Sequence, residues 1–110
     1  MSITHIVLFQ FKADASPAAV KDACARMLAL KDNCVHPTSQ KPYIKSAVGG
    51  ADNSPEGMQG GITHAFVMEF ASAGDREYYV SSDPTHQEFV KSLGGIMEKA
   101  QVVDFANGVY

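Results

Sequence analysis

Four histidines, four tyrosines and two cysteines are the side chains of this 110-residue chain best suited to proton transfer, nucleophilic attack or metal ligation. His86 is the most informative of them. Asp83-Pro84 has the form of a helix start, an N-cap followed by proline, so His86 falls within the first turn. Orphan backbone donors and the positive end of the helix dipole lie there and disfavour the imidazolium. A neutral imidazole beside an apolar cavity is suited to act as a base at neutral pH. The same placement also suits a core histidine satisfied by backbone or by a tyrosine. Tyr78 and Tyr79 come shortly before it, and a hydroxyl from either would reach an imidazole or a substrate carbonyl, although a buried Tyr finds some partner in any fold. His5 shares one side of an apolar segment with Val7 and Phe9, and His64 shares a side with Phe66. Periodicity alone leaves open whether those sides face a pocket or a sheet edge.

Other chemistries lack their signatures. No two histidines stand four residues apart and the cysteines form no Cys-x-x-Cys pair, so no metal site is expected. A Gly-x-Ser-x-Gly elbow is missing, which removes the usual serine hydrolase. The glycines between Gly49 and Gly61 have neither P-loop spacing nor a following Lys-Ser/Thr pair. No cofactor is therefore expected. Cys24 and Cys34 read as reduced thiols that pack rather than pair. Nine basic against twelve acidic residues give a net charge of −3, with the cations scattered singly, which argues against nucleic-acid binding. With no basic leader, long apolar run or disulfide framework, the expectation is a cytoplasmic protein that does not enter a membrane.

The elements that must position these groups follow from periodicity. Ile3 to Phe11 alternates, with His5, Val7, Phe9 and Phe11 on one side and Ile6 and Leu8 on the other, and both sides are largely apolar. A strand of that kind belongs in a sheet covered on both faces, and in one domain of this size the second cover is expected to be another copy of the chain. Ser16-Pro17 opens a helix predicted over 17–31, carrying Val20, Cys24, Met27 and Leu28. A loop is predicted over 32–43, a short strand over 44–48, a Gly-rich connection over 49–61 and a strand over 62–70. Ser72 caps a short helix reaching Val80. In the last helix His86, Phe89, Val90, Leu93 and Met97 recur at offsets of 0, 3, 4, 7 and 11, one helical stripe, with Gly94-Gly95 as a weak point and a final strand over 101–105. The order β-α-β-β-α-α-β predicts a single α+β domain with a ferredoxin-like, four-stranded antiparallel sheet. Its helices cover one face, and the other is left to dimerise through Ile6, Leu8, Ala65 and Val67.

The segments Thr4–Phe11, Gly61–Phe66, Asp83-Pro84-Thr85-His86 with Phe89, and Val103-Asp104-Phe105 together resemble the stress-responsive dimeric A/B-barrel family, in its order and over nearly the whole chain. That resemblance implies a homodimer, a dimeric α+β barrel in which each subunit keeps a cavity between sheet and helices. It implies that His5, Val7 and Phe9 look into that cavity and that Ile6 and Leu8 look into the barrel. By similarity to a plant polyketide cyclase of the family, His86 would be a base, Tyr79 or Tyr78 its partner, and His5 a further cavity histidine. Phe66, Phe89, Val90 and Met97 match wall positions, while Ala23, Cys24 and Met27 replace larger aromatic residues. The resemblance thus implies either a cofactor-free cyclase or lyase acting on a small apolar carbonyl compound, or a non-catalytic stress-related binding or structural homodimer. An oxygen-using monooxygenase of the wider superfamily ranks behind both.

Overall fold

A computed structural model describes residues 1–110. Seven elements follow one another as β1 (Ile3–Phe11), α1 (Pro17–Asn33), β2 (Ile44–Ala51), β3 (His64–Phe70), α2 (Ala73–Ser81), α3 (Pro84–Ser92) and β4 (Met97–Phe105). The strands form one antiparallel sheet in the order β2-β3-β1-β4. This is the ferredoxin-like α+β fold that the element order predicts.

Each helix starts where its capping chemistry lies. The Ser16 hydroxyl accepts from the Ala19 amide at 3.1 Å, the Ser72 hydroxyl from the Asp75 amide at 3.1 Å, and the Asp83 carboxylate from the Thr85 amide at 2.9 Å and the His86 amide at 3.4 Å. Each satisfies donors that the first turn cannot pair internally. Along β1 burial alternates strictly, and antiparallel register carries the alternation to its neighbours. Val7 lies between Phe66 and Val102, and Phe9 between His64 and Ala100, all on the helix side. Against that side α1 buries Ala23, Met27 and Leu30, α2 buries Tyr79 and α3 buries Phe89.

Three boundaries differ from expectation, each for a local reason. The last helix stops at Ser92, and Met97 begins β4 rather than continuing the helical stripe. Gly94 and Gly95 offer no side chain to hold a further turn, and the chain swings back so that the Lys12 amide donates to the Ile96 carbonyl at 2.8 Å. β2 runs on through Gly49 and Gly50 to Ala51. A Cβ at Gly49 would lie 2.3 Å from Phe66 Cδ1 and 2.5 Å from the Ala65 carbonyl, so only glycine lets this edge strand pass the Phe66 ring. β3 begins at His64, because Gly60 and Gly61 turn with φ of +62° and +89°. The stretch predicted as a loop before β2 holds one isolated bridge, Val35 to Pro42.

The sheet's other face carries no helix. Ile6 lies between Val67 and Val103, Leu8 opposite Ala65, and Val48 opposite Val67, with Phe105 at one end opposite Thr4. Val48, Val67, Val103 and Phe105 are exposed. No helix is long and apolar enough to cross a membrane.

Candidate active site

Between the helices and the β1–β4 half of the sheet lies a cavity of about 400 Å³, lined by fourteen residues of which eleven are apolar. Nine of the eleven residues singled out from sequence meet there: His5, Val7 and Phe9 from β1, Met27 from α1, Tyr79 from α2, His86, Phe89 and Val90 from α3, and Met97 from β4. Cys24 and Phe66 do not. They line a separate groove between α1 and the β2–β3 edge, together with Val20, Leu28 and His64. The Phe9 ring, 5.5 Å from that of Phe66, fills the space between the two hollows, and Cys24 sits a turn before Met27 on α1, turned to the groove side. Val80, Leu93, Gly94, Ala100 and Val102 complete the cavity. Leu93 lies on the helical stripe read from sequence and Val102 within the predicted last strand, whereas Ala100 falls just before that strand's predicted start.

His86 is held by the backbone. Its Nδ1 lies 2.8 Å from the carbonyl oxygen of Tyr79, which only accepts, so the proton sits on Nδ1 and the lone pair on Nε2. The ring stacks on that of Tyr79, with centroids 3.8 Å apart and planes 22° apart. Burial holds the imidazole below its ordinary pKa, and charge on His5 pushes the same way; the Tyr79 carbonyl and Asp83 oppose this. The His86 imidazole is thus neutral at physiological pH.

His5 is held by a side chain. Its Nδ1 lies 2.6 Å from Asp104 Oδ1, and Asp104 Oδ2 accepts from the Arg76 guanidinium at 2.8 Å. Antiparallel register places Asp104 directly opposite His5 on β4. Neither imidazole Nε2 has a protein partner, yet neither is sealed: the single fully buried polar side-chain atom without a hydrogen bond is the Tyr79 hydroxyl. Both lone pairs are therefore open in a cavity that both rings line. Tyr79 is the common neighbour, touched edge-on by His5 at 5.7 Å and stacked by His86.

The choice between the two tyrosines is decided by the helix. Tyr79 is fully buried beside both histidines, whereas Tyr78 turns outward to a cluster with His36 and Tyr43, at 6.0 and 5.6 Å between rings. Tyr79 meets His86 through its ring and its carbonyl, not through its hydroxyl. That hydroxyl is buried away from water, and its pKa is raised by desolvation and by Cys34 and Asp83. Under the helices Asp83 also accepts from the Tyr43 hydroxyl, and burial together with this carboxylate pushes the Cys34 thiol up to about 12. Both cysteines are free, and no group of three His, Cys, Asp or Glu side chains has the geometry to hold a metal ion.

Residues 3–107 match the stress responsive A/B barrel domain. Among solved structures, a protein from Arabidopsis thaliana is 27% identical with a TM-score of 0.82, the alignment covering 98% of this chain and 97% of that one. A hydroxynitrile lyase from Passiflora edulis is 26% identical, also with a TM-score of 0.82, over 99% and 96%. A dimeric ferredoxin-like protein from Thermobifida fusca shares the fold at 22% identity and a TM-score of 0.73, over 96% and 91%. No curated protein matches significantly. With the match running from the first strand to just past the last, this chain belongs to the stress responsive A/B barrel domain family.

Proposed function

We propose that this protein is a cytosolic homodimer whose cavity carries out cofactor-free proton transfer on a small, largely apolar carbonyl compound, in a reaction of cyclase or lyase type. The observation that carries the proposal is the pair of imidazoles in one apolar cavity, each fixed through Nδ1 by an acceptor and each leaving Nε2 free. His86 Nε2 takes an acidic proton from the substrate. His5, when it carries a second proton beside Asp104, donates from Nε2 to the oxygen on which negative charge develops. Tyr79 stacks on His86 and presents the carbonyl that holds its tautomer. Val7, Phe9, Met27, Phe89, Val90 and Met97 exclude water and take the apolar part of the ligand. Similarity to a hydroxynitrile lyase over nearly the full length supports chemistry at such a cavity. The bare apolar sheet face and the dimeric Thermobifida fusca neighbour support the homodimer. Two free thiols suit a reducing compartment.

The test is turnover of a panel of 1,3-diketones, poly-β-keto thioesters and cyanohydrins. The wild type is expected to turn over at least one class, and His86→Gln to lower that rate by about 10²-fold or more, as loss of a general base does. Equal turnover by a folded His86→Gln protein would exclude this role for His86. The second reading, a non-catalytic stress-related homodimer, is favoured by His86 being bonded to backbone and by the Tyr79 hydroxyl lying outside the polar network. It predicts binding of such compounds, if any, without turnover.

A further inference from the structure

Helix α2 has nine residues, and two of them reach the two imidazoles by different routes. Tyr79 holds His86 by its backbone carbonyl. Arg76, three residues earlier and so on the same side of the helix, donates to Asp104 Oδ2 at 2.8 Å, and the other oxygen of that carboxylate holds His5 at 2.6 Å. Asp104 lies near the end of β4 with its side chain 19% exposed. A carboxylate there with one short contact would be free to turn towards water. The guanidinium removes that freedom, binding Asp104 through one nitrogen while its Nε is braced by Glu77 at 3.0 Å. An exposed ion pair is ordinarily worth little. This one differs because the third member of the chain, His5, is 3% exposed and lines the cavity. Arg76 itself is not part of the cavity wall.

We infer that Arg76 is a positioning residue of the candidate site: through Asp104 it fixes the tautomer and direction of His5, so that α2 sets the orientation of both imidazoles. The inference rests on the two-histidine reading given above, and it assigns the difference between the imidazoles to their supports. His86 is held by a main-chain carbonyl of α2 and stacked on the Tyr79 ring, and makes no contact that runs through Arg76. His5 depends on a two-link side-chain relay and is lost when either link is cut.

The test is nitrogen NMR of the histidine rings in ¹⁵N-labelled protein without ligand, at a pH about two units above the ordinary imidazole pKa of about 6.5 so that neutral tautomers are read. In the wild type both His5 and His86 are expected to show the Nδ1–H pattern. In Arg76→Met the His5 signals are expected to move towards the mixture dominated by Nε2–H that a free imidazole shows in water, while His86 keeps its pattern. Asp104→Ala is expected to give the same change, and Arg76→Met added to it no further change. Arg76→Lys, which keeps a charge but not the fork, is expected to lie between. An unchanged His5 pattern in folded Arg76→Met, or in folded Arg76→Gln should the Met variant not fold, would overturn the inference. So would an equal change at His86, since that marks a general loosening of α2. Because no substrate is used, this result stands apart from the turnover test: failure to find turnover leaves the relay intact, and failure of the relay leaves His86 as a base.

Discussion

At His86 the protein favours the uncharged imidazole and holds the proton on the nitrogen that faces the chain. The stability of the fold therefore depends on pH. The folded-state pKa is depressed, so between it and the ordinary value of about 6.5 the unfolded chain binds more protons than the folded one. This contribution is fully present above about pH 6.5 and is lost as the pH falls through the window below it. His64, also depressed by burial, acts in the same direction. Thermal unfolding followed from pH 7 to pH 5 should show a falling Tm, and His86→Gln should flatten that fall. A second expectation concerns the thiols. Cys34 is fully buried, with its pKa pushed up to about 12, so a thiol reagent at neutral pH should modify only the half-buried Cys24, and Cys34 should react only after denaturation. At this scale the sequence was informative about which side chains meet in the cavity and poor about how they bond. The cap at Asp83 and the helical stripe placed His86 correctly, because both are local. That its partner is the Tyr79 carbonyl and not a hydroxyl depends on how α2 and α3 meet, and nothing local encodes it. The opposition of Asp104 to His5 is a register property of two strands at opposite ends of the chain, which one sequence does not reveal.

Among the elements, the junction between α2 and α3 does the most to shape the site. Asp83 caps α3, accepts the Tyr43 hydroxyl and is 1% exposed, so one side chain joins the start of β2 to the turn that carries His86. Asp83→Ala removes the cap and strands a buried phenol, and should cost about 2–4 kcal/mol in chemical denaturation. Asp83→Asn, which keeps acceptor oxygen, should cost less. At the sheet edge, Gly49→Ala places a methyl group against the Phe66 ring and the Ala65 carbonyl and should cost about 1–3 kcal/mol. These elements were legible where a cap or an alternation is strong, as in β1, α1 and the start of α3. They were illegible where glycine leaves the backbone free. Gly94-Gly95 could bend a helix or end it, and the return of the chain to pair with β1 ended it. Met97 nevertheless faces the cavity from β4, and the position read for it on a helix was right in effect and wrong in element. The misplacement of Cys24 and Phe66 has a similar origin, since a stripe on α1 and a face of β3 are each wide enough to serve two hollows, with Phe9 as the partition.

For the whole molecule, the sheet shows two faces with different fates. One is buried under three helices and contains the cavity; the other presents Ile6, Leu8, Val48, Val67, Val103 and Phe105 without a cover. A second copy packed there would remove this surface from water and return the proposed barrel. Val67→Asp, at the middle of that face, should yield a monomer in sedimentation velocity at concentrations where the wild type sediments as a dimer. Its helix-side cavity and its imidazole signals should be retained, because the substitution lies on the opposite face. The two-sided character of β1 signalled in the sequence that both faces of the sheet call for a cover.

In the proposed function His86 is a base open to a cavity that accepts a carbonyl compound. The decisive measurement is the rate at which the wild type and His86→Gln exchange the acidic carbon-bound proton of an apolar 1,3-diketone with deuterated solvent at neutral pH, followed by proton NMR. Exchange by the wild type is expected well above the buffer rate, with a fall of about 10²-fold or more in the variant. Wild-type exchange at the buffer rate, or equal exchange by a folded His86→Gln protein, would contradict this role for His86.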